Sequence, residues 1–310
     1  YELGSTFKIF TTAALFEQKN PALTTLYDTR EPIKVGRYTI SDYHPENRKQ
    51  TIAEVFMHSS NIGTAMMAQD IGTDGLREFF DRLGLFAPIA FDIPEMGSPL
   101  LPKPWRDVST LTASYGHGIA VTPLHLASAT ASIVGDGTLV QPRLVAPTRT
   151  RTETRERIAS ERTVDMMRGL MRLVVTNGTG SKADVPGMMV GGKTGTAEKN
   201  VGGRYIRTSL LSSFVGAFPM NDPRYVIAVT IDEPKPNKSS YGFATAGWTA
   251  APAVGRVIAG MQTVLGLAPI TAKDPAEPFL AYINGDVDQK ETETNQITGG
   301  GKIASVTPVP

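Results

Sequence analysis

Apolar residues fall at helical spacing from the first turns of the chain. Phe7, Phe10, Ala14 and Leu15 predict a helix over 5–19, opened at Gly4-Ser5 and stopped by Asn20-Pro21. Residues 24–50 are polar and irregular, with a turn-like run from Asp42 to Asn47, and predict loop. Thr51-Ile52-Ala53-Glu54 has the form of a capping box, so a short helix follows. His58-Ser59-Ser60-Asn61 interrupts it, and a second helix runs to Gly72. Leu76, Phe79, Phe80 and Leu83 share one face of a helix over about 74–83, closed by Gly84. Residues 86–110 are rich in proline and predict loop. Thr122-Pro123 starts an alanine-rich helix over 122–135. Arg and Glu alternate over 149–162, which predicts a solvated surface and the start of a helix reaching about Thr176.

Strand patterns come late. Met188–Glu198, Ser209–Phe218 and Tyr225–Asp232 are β-rich, the last two joined at Asn221-Asp222-Pro223, and together they predict an antiparallel meander. A helix rich in Ala, Val and Gly is expected over 247–266. Beyond Ala268 the composition turns to Pro, Thr, Gly and Asp, so 1–268 reads as one domain and 269–310 as an extended or disordered tail.

Charge changes the picture by exclusion. Lys plus Arg is 31 against 30 Asp plus Glu, so the basic excess of a nucleic-acid-coating protein is absent. No cysteine is present, which removes thiol nucleophiles, Cys-ligated zinc and iron–sulfur clusters. No run of 18 apolar residues occurs. The four histidines, His44, His58, His117 and His125, lack metal-ligand spacing, so no metal is expected. The chain opens without Met directly into candidate chemistry and reads as a fragment of a longer protein.

Three polar clusters can carry chemistry. In Ser5-Thr6-Phe7-Lys8 a hydroxyl and an amine lie at i and i+3, on one helical face. Serine needs a base before it is a nucleophile, and a lysine whose pKa is lowered by burial or by a neighbouring cation can be that base. An N-capping serine and a surface lysine would give the same four letters. Ser59-Ser60-Asn61 presents hydroxyls and an amide on a turn, fit to relay a proton or simply to cap a helix. Gly191-Gly192-Lys193-Thr194-Gly195-Thr196 puts a cation and two hydroxyls on a strand that glycine leaves open to a substrate. Gly187 to Thr194 also satisfies the P-loop pattern, but neither a good strand before it nor a helix after it is predicted.

Order and spacing bind these clusters together. Ser59 follows Ser5 by 54 positions and Lys193 follows it by 188. The set SxxK, SxN, KTG resembles that of the penicillin-binding proteins and serine β-lactamases. The chain is most similar to the transpeptidase domain of class B penicillin-binding proteins, and within them to the cell-division branch. Tyr115-Gly116-His117-Gly118 with Val121-Thr122-Pro123-Leu124, Gly203-Arg204-Tyr205, Phe214-Val215-Gly216, Asp222-Pro223-Arg224-Tyr225 and Tyr241-Gly242 extend the resemblance over roughly residues 1–267. Leu3 departs from it, since proline is usual there.

The resemblance implies an α+β fold: an antiparallel sheet flanked by helices, plus an all-helical lobe, with the N-terminal part of the domain missing. It implies a D,D-transpeptidase that joins peptidoglycan stem peptides through a serine acyl-enzyme, binds β-lactams and uses no cofactor. Ser5 would be the nucleophile and Lys8 its base. Ser59, Asn61 and Lys193 would serve proton relay and substrate binding. Thr194, Gly195 and Thr196 would hold the donor carboxylate, with the Ser5 and Thr196 N–H groups as oxyanion hole. It further implies division-protein partners reached through the missing N-terminal region, no nucleic acid, and a place at the periplasmic face of the bacterial inner membrane. A hydrolase of the same fold, a carboxypeptidase or β-lactamase, would need a base to activate water. Glu46 precedes SxN, whereas the deacylating glutamate of class A β-lactamases follows it. A non-catalytic scaffold would not need to retain the motif side chains.

Overall fold

The computed structural model describes residues 1–36, 38–146 and 155–283. A 3-10 turn, Gly4–Phe7, leads into helix α1, Lys8–Lys19. Every residue of α1 from Lys8 to Phe16 is buried, as befits a helix packed on all sides. Asn20, in the left-handed conformation, caps it ahead of Pro21. The expected loop over 24–50 instead contains two small antiparallel ribbons: β1 (Leu26–Asp28) pairs with β4 (Lys49–Thr51), and β2 (Ile33–Val35) with β3 (Tyr38–Ile40). Three-residue strands are too short to show an alternating pattern.

Thr51 and Glu54 form the expected capping box at the start of α2 (Ile52–Met57). The helices α3 (Asn61–Ile71) and α4 (Thr73–Arg82) follow, with Leu76, Phe79, Phe80 and Leu83 all buried. A helix that the proline-rich stretch concealed, α5, occupies Asp107–Ser114. Helix α6 runs over Pro123–Val134, capped by Thr122. The helix α7 is Glu161–Thr176, capped by Ser160, so it starts at the very end of the Arg/Glu run and reaches Thr176 as expected; residues 149–154 of that run lie outside the described residues.

The sheet is the expected meander: β5 (Gly191–Val201), β6 (Arg204–Phe218) and β7 (Tyr225–Asp232), in that order and antiparallel. In the β5–β6 register Lys193 faces Val215 and Thr196 faces Ser212. Side chains alternate between two cores. Phe214, Phe218, Ile227 and Val229 join the layer under α8 (Ala250–Leu265), while Val215, Ala217, Val226 and Ala228 join the larger core of the helical lobe.

The tail expectation is corrected in part. Residues 277–282 form a 3-10 turn whose Phe279 is buried, its ring lying where a side chain on Gly169 of α7 would stand. Ile283 is buried too. Phe279 and Ile283 make this segment part of the core, although its composition resembles loop. Residues 284–310 lie outside the described residues.

Candidate active site

Lys8 opens α1, so its side chain leaves the helix at the end where Ser5 sits, three residues earlier on the 3-10 turn. Ser5 is half-buried and Lys8 fully buried. The 3-10 turn lies against β5 so closely that a Cβ on Gly195 would fall 2.4 Å from the Leu3 carbonyl oxygen, and only glycine permits that approach. This contact sets Ser5 beside Gly195-Thr196.

Ser59 stands between α2 and α3 with φ +63°, an uncommon conformation for a residue bearing a side chain. It is the meeting point of the site. The Lys8 ammonium group donates to the Ser59 carbonyl, to Ser59 Oγ at 3.1 Å and to Asn61 Oδ1 at 2.9 Å. Lys193 Nζ, arriving from β5, donates to the same Ser59 Oγ at 2.8 Å. Lys8, Ser59, Asn61 and Lys193, spread over 186 positions of sequence, thus form one hydrogen-bonded unit. Ser5 Oγ is not among the hydrogen-bond partners of Lys8.

Two lysines buried side by side repel and lose solvation. Burial brings the Lys193 amine down to about 7. Burial also holds Lys8 well below the ordinary lysine value, the charge on Lys193 lowers it further, and Asp42 opposes both. A neutral amine within reach of hydroxyls at neutral pH is what base chemistry requires.

Thr194 and Thr196 share a face of β5 by the period of two. The Thr194 hydroxyl exchanges a hydrogen bond with Thr179 Oγ1 at 2.7 Å, and Thr196 Oγ1 accepts one from the Ala246 N–H at 3.0 Å. Each hydroxyl is therefore oriented by the strand's surroundings. Lys193 lies on a strand that continues to Val201, so the P-loop pattern has no helix after it and carries no phosphate cradle.

Sequence reasoning passed over several supporting groups. Asp42, read as a turn residue, and Ser41 just before it touch the Ser60-Asn61 segment directly. Arg172 donates to the Val190 carbonyl just ahead of β5 at 2.7 Å, and pairs with Asp184 and Asp274. His117 stacks on Tyr205 at 4.2 Å, and both reach the Glu2 carboxylate next to the 3-10 turn. An acid in a turn ahead of a helix was the one available signal for Asp42. His117 and Tyr205 fall in stretches that carry the family resemblance, but nothing in sequence pointed to Glu2 or Arg172.

Residues 1–254 match the family model described as penicillin binding protein transpeptidase domain. The chain belongs to that family. Among sequence relatives of this transpeptidase domain, the probable peptidoglycan D,D-transpeptidase FtsI of Caulobacter vibrioides is 42% identical over 278 residues, covering 86% of this chain and 47% of the relative. The probable peptidoglycan D,D-transpeptidase PenA of Neisseria meningitidis is 31% identical over 275 residues, covering 86% and 45%. The chain thus spans about half the length of these relatives. Among solved structures, the transpeptidase domain of Burkholderia pseudomallei penicillin-binding protein 3 superposes with a TM-score of 0.79 at 30% identity, covering 88% of this chain and 82% of that one. Mycobacterium tuberculosis penicillin-binding protein 3, solved with aztreonam, gives 0.77 at 28% identity, covering 88% and 64%. The expected α+β fold is therefore the observed one.

Proposed function

We propose that the chain is the catalytic part of a peptidoglycan D,D-transpeptidase that works through an acyl-enzyme on Ser5 and is inhibited covalently by β-lactams. The observation that carries this reading is the convergence of two buried, pKa-lowered lysines on Ser59, beside the turn that bears Ser5. In the proposed cycle neutral Lys8 takes the proton of Ser5 Oγ as that oxygen attacks the D-Ala–D-Ala amide carbonyl. The C–N bond then breaks, and the leaving D-Ala amine takes a proton passed through Ser59. A stem-peptide amine attacks the resulting ester, returns Ser5 to its hydroxyl form and completes the cross-link. Thr194 and Thr196 receive the donor carboxylate, with Gly195 keeping the strand open to the peptide. The Ser5 and Thr196 N–H groups receive the oxyanion; one such donor is worth about 10²–10³ in rate. By the same reading the parent protein acts in septal wall synthesis with other division proteins, at the periplasmic face of the inner membrane. No described helix is long and apolar enough to cross a membrane.

Asp42, Glu46 and Glu54, ahead of the SxN turn, and Asp70 after it, which accepts from the Tyr27 hydroxyl at 2.8 Å, support a slow second step. Glu46 is engaged by Arg48 and His58, and Glu54 by Arg48 and the Thr51 N–H. Asp42 is occupied by hydrogen bonds. None is free to activate water. Intact-mass measurement after penicillin treatment tests the reading. A long-lived adduct lost in Ser5→Ala is expected. Rapid antibiotic turnover would favour a hydrolase, and labelling that persists in Ser5→Ala would remove Ser5 from its role.

A further inference from the structure

The loop 41–48, between β3 and β4, wraps the turn that carries Ser59 and Asn61. One Asp42 carboxylate oxygen accepts from the Ser60 hydroxyl at 2.7 Å. The other accepts from two successive backbone N–H groups, those of Asn61 and Ile62, the latter at 3.0 Å. The adjoining Ser41 carbonyl accepts from Asn61 Nδ2 at 3.0 Å. This last bond fixes which end of the Asn61 amide faces Lys8: the nitrogen is held by the loop, so the oxygen is left for the amine. On the other side of Ser59, the end of α2 is closed by the Ser60 N–H donating to the Val55 carbonyl at 2.9 Å. Ser59 is therefore clamped from both flanks, which is what a side-chain-bearing residue at positive φ requires to persist.

The Asp42 carboxylate also acts by its charge on Lys8. The charged groups that act on Lys8 are Lys193 from β5 and Asp42 from this loop. The next charges along the loop, Glu46 and Arg48, pair with each other and with His58 and Glu54.

We infer that Asp42 is a positioning residue of the acylation step: it sets the Ser59–Asn61 turn on which Lys8 and Lys193 converge, and it supplies a negative charge that acts on Lys8. This inference rests on the acyl-enzyme reading above and adds to it a residue outside the three motifs. The two contributions separate by substitution. Asp42→Asn keeps an acceptor for the Asn61 and Ile62 N–H groups, and the Ser60 hydroxyl can accept from the new amide, but the charge is gone. Asp42→Ala removes both.

The test is the rate of acylation by a fluorescent penicillin across pH, with thermal melting alongside. In Asp42→Asn the rising limb of the profile is expected at lower pH than in the wild type, because the anion that held Lys8 protonated has been removed. In Asp42→Ala the plateau rate is expected to fall about ten- to a hundredfold, the scale of losing hydrogen bonds to a charged group. An unshifted profile in Asp42→Asn, whatever happens to melting, would show a plain helix cap and overturn the inference. So would an Asp42→Ala plateau within about twofold of wild type. If the wild-type chain itself takes no label, the acyl-enzyme reading falls and the inference falls with it; a labelled wild type with unaltered variants sinks the inference alone.

Discussion

Replacing Lys193 by Met tests the electrostatics of the site without reference to any substrate. Lys193 is fully buried, its amine lies near about 7 instead of the ordinary 10.5, and burial is the cause. The unfolded chain therefore binds more protons than the folded one between about pH 7 and 10.5, so wild-type stability climbs with pH through that window. Below it the penalty is constant. Linkage puts the cost of the buried charge at ~5 kcal/mol near pH 6, falling to ~2 kcal/mol near pH 9. Met fills similar space and carries no charge. Lys193→Met should thus be more stable than wild type at about pH 6, with the advantage shrinking by ~3 kcal/mol by about pH 9. At ~2–4 °C per kcal/mol for a domain of this size, the gap in melting temperature should narrow by roughly 5–10 °C. Differential scanning fluorimetry over that pH range reads it directly. Loss of the Lys193–Ser59 hydrogen bond lowers the variant's stability at every pH, so the slope and not the offset is diagnostic. A gap that stays constant from pH 6 to 9 would refute the reasoning. The same substitution should raise the pKa of Lys8, because the neighbouring cation that lowers it is gone.

Two further perturbations probe the frame. Gly116 has φ +79°, and a Cβ there would stand 2.1 Å from the Gly4 carbonyl oxygen, so Gly116→Ala must displace the turn that bears Ser5. Penicillin acylation should drop about 10²-fold, the scale of an ångström of misplacement, while far-UV circular dichroism stays native; an unchanged rate would mean that the turn yields freely. Phe279→Ala should cost about 3–5 kcal/mol in chemical denaturation, the usual loss for a buried phenylalanine, whereas a tail merely resting on the surface would lose almost nothing.

The clusters that bring Lys8, Ser59, Asn61 and Lys193 together were legible because residue type and order mark them. So were elements with strong local signals: the Leu76/Phe79/Phe80/Leu83 face, the Thr51–Glu54 capping box and the three long strands. What escaped notice depends on distant partners. The Thr51 hydroxyl donates to the Tyr282 carbonyl, 231 positions away, and Phe279 finds its place against Gly169. A local window contains neither partner, so a segment rich in Pro and Asp passed for tail. Helix α5 is eight residues long and follows a proline-rich stretch, too little periodicity to overrule the breakers before it. Asp42 looked like a turn residue and is one; its second task exists only once the loop closes over Asn61.

The meeting of Lys8, Ser59 and Lys193 has a practical corollary. Its two links to Ser59 close chain spans of 51 and 134 residues, so neither a nascent piece nor a half-collapsed chain can assemble it. A covalent drug that reacts there would double as a census of conformations. In a mixed preparation the fraction bearing the adduct would count molecules that had completed the topology, and a titration of labelled yield against denaturant would trace the population of native protein with no spectroscopic signal at all.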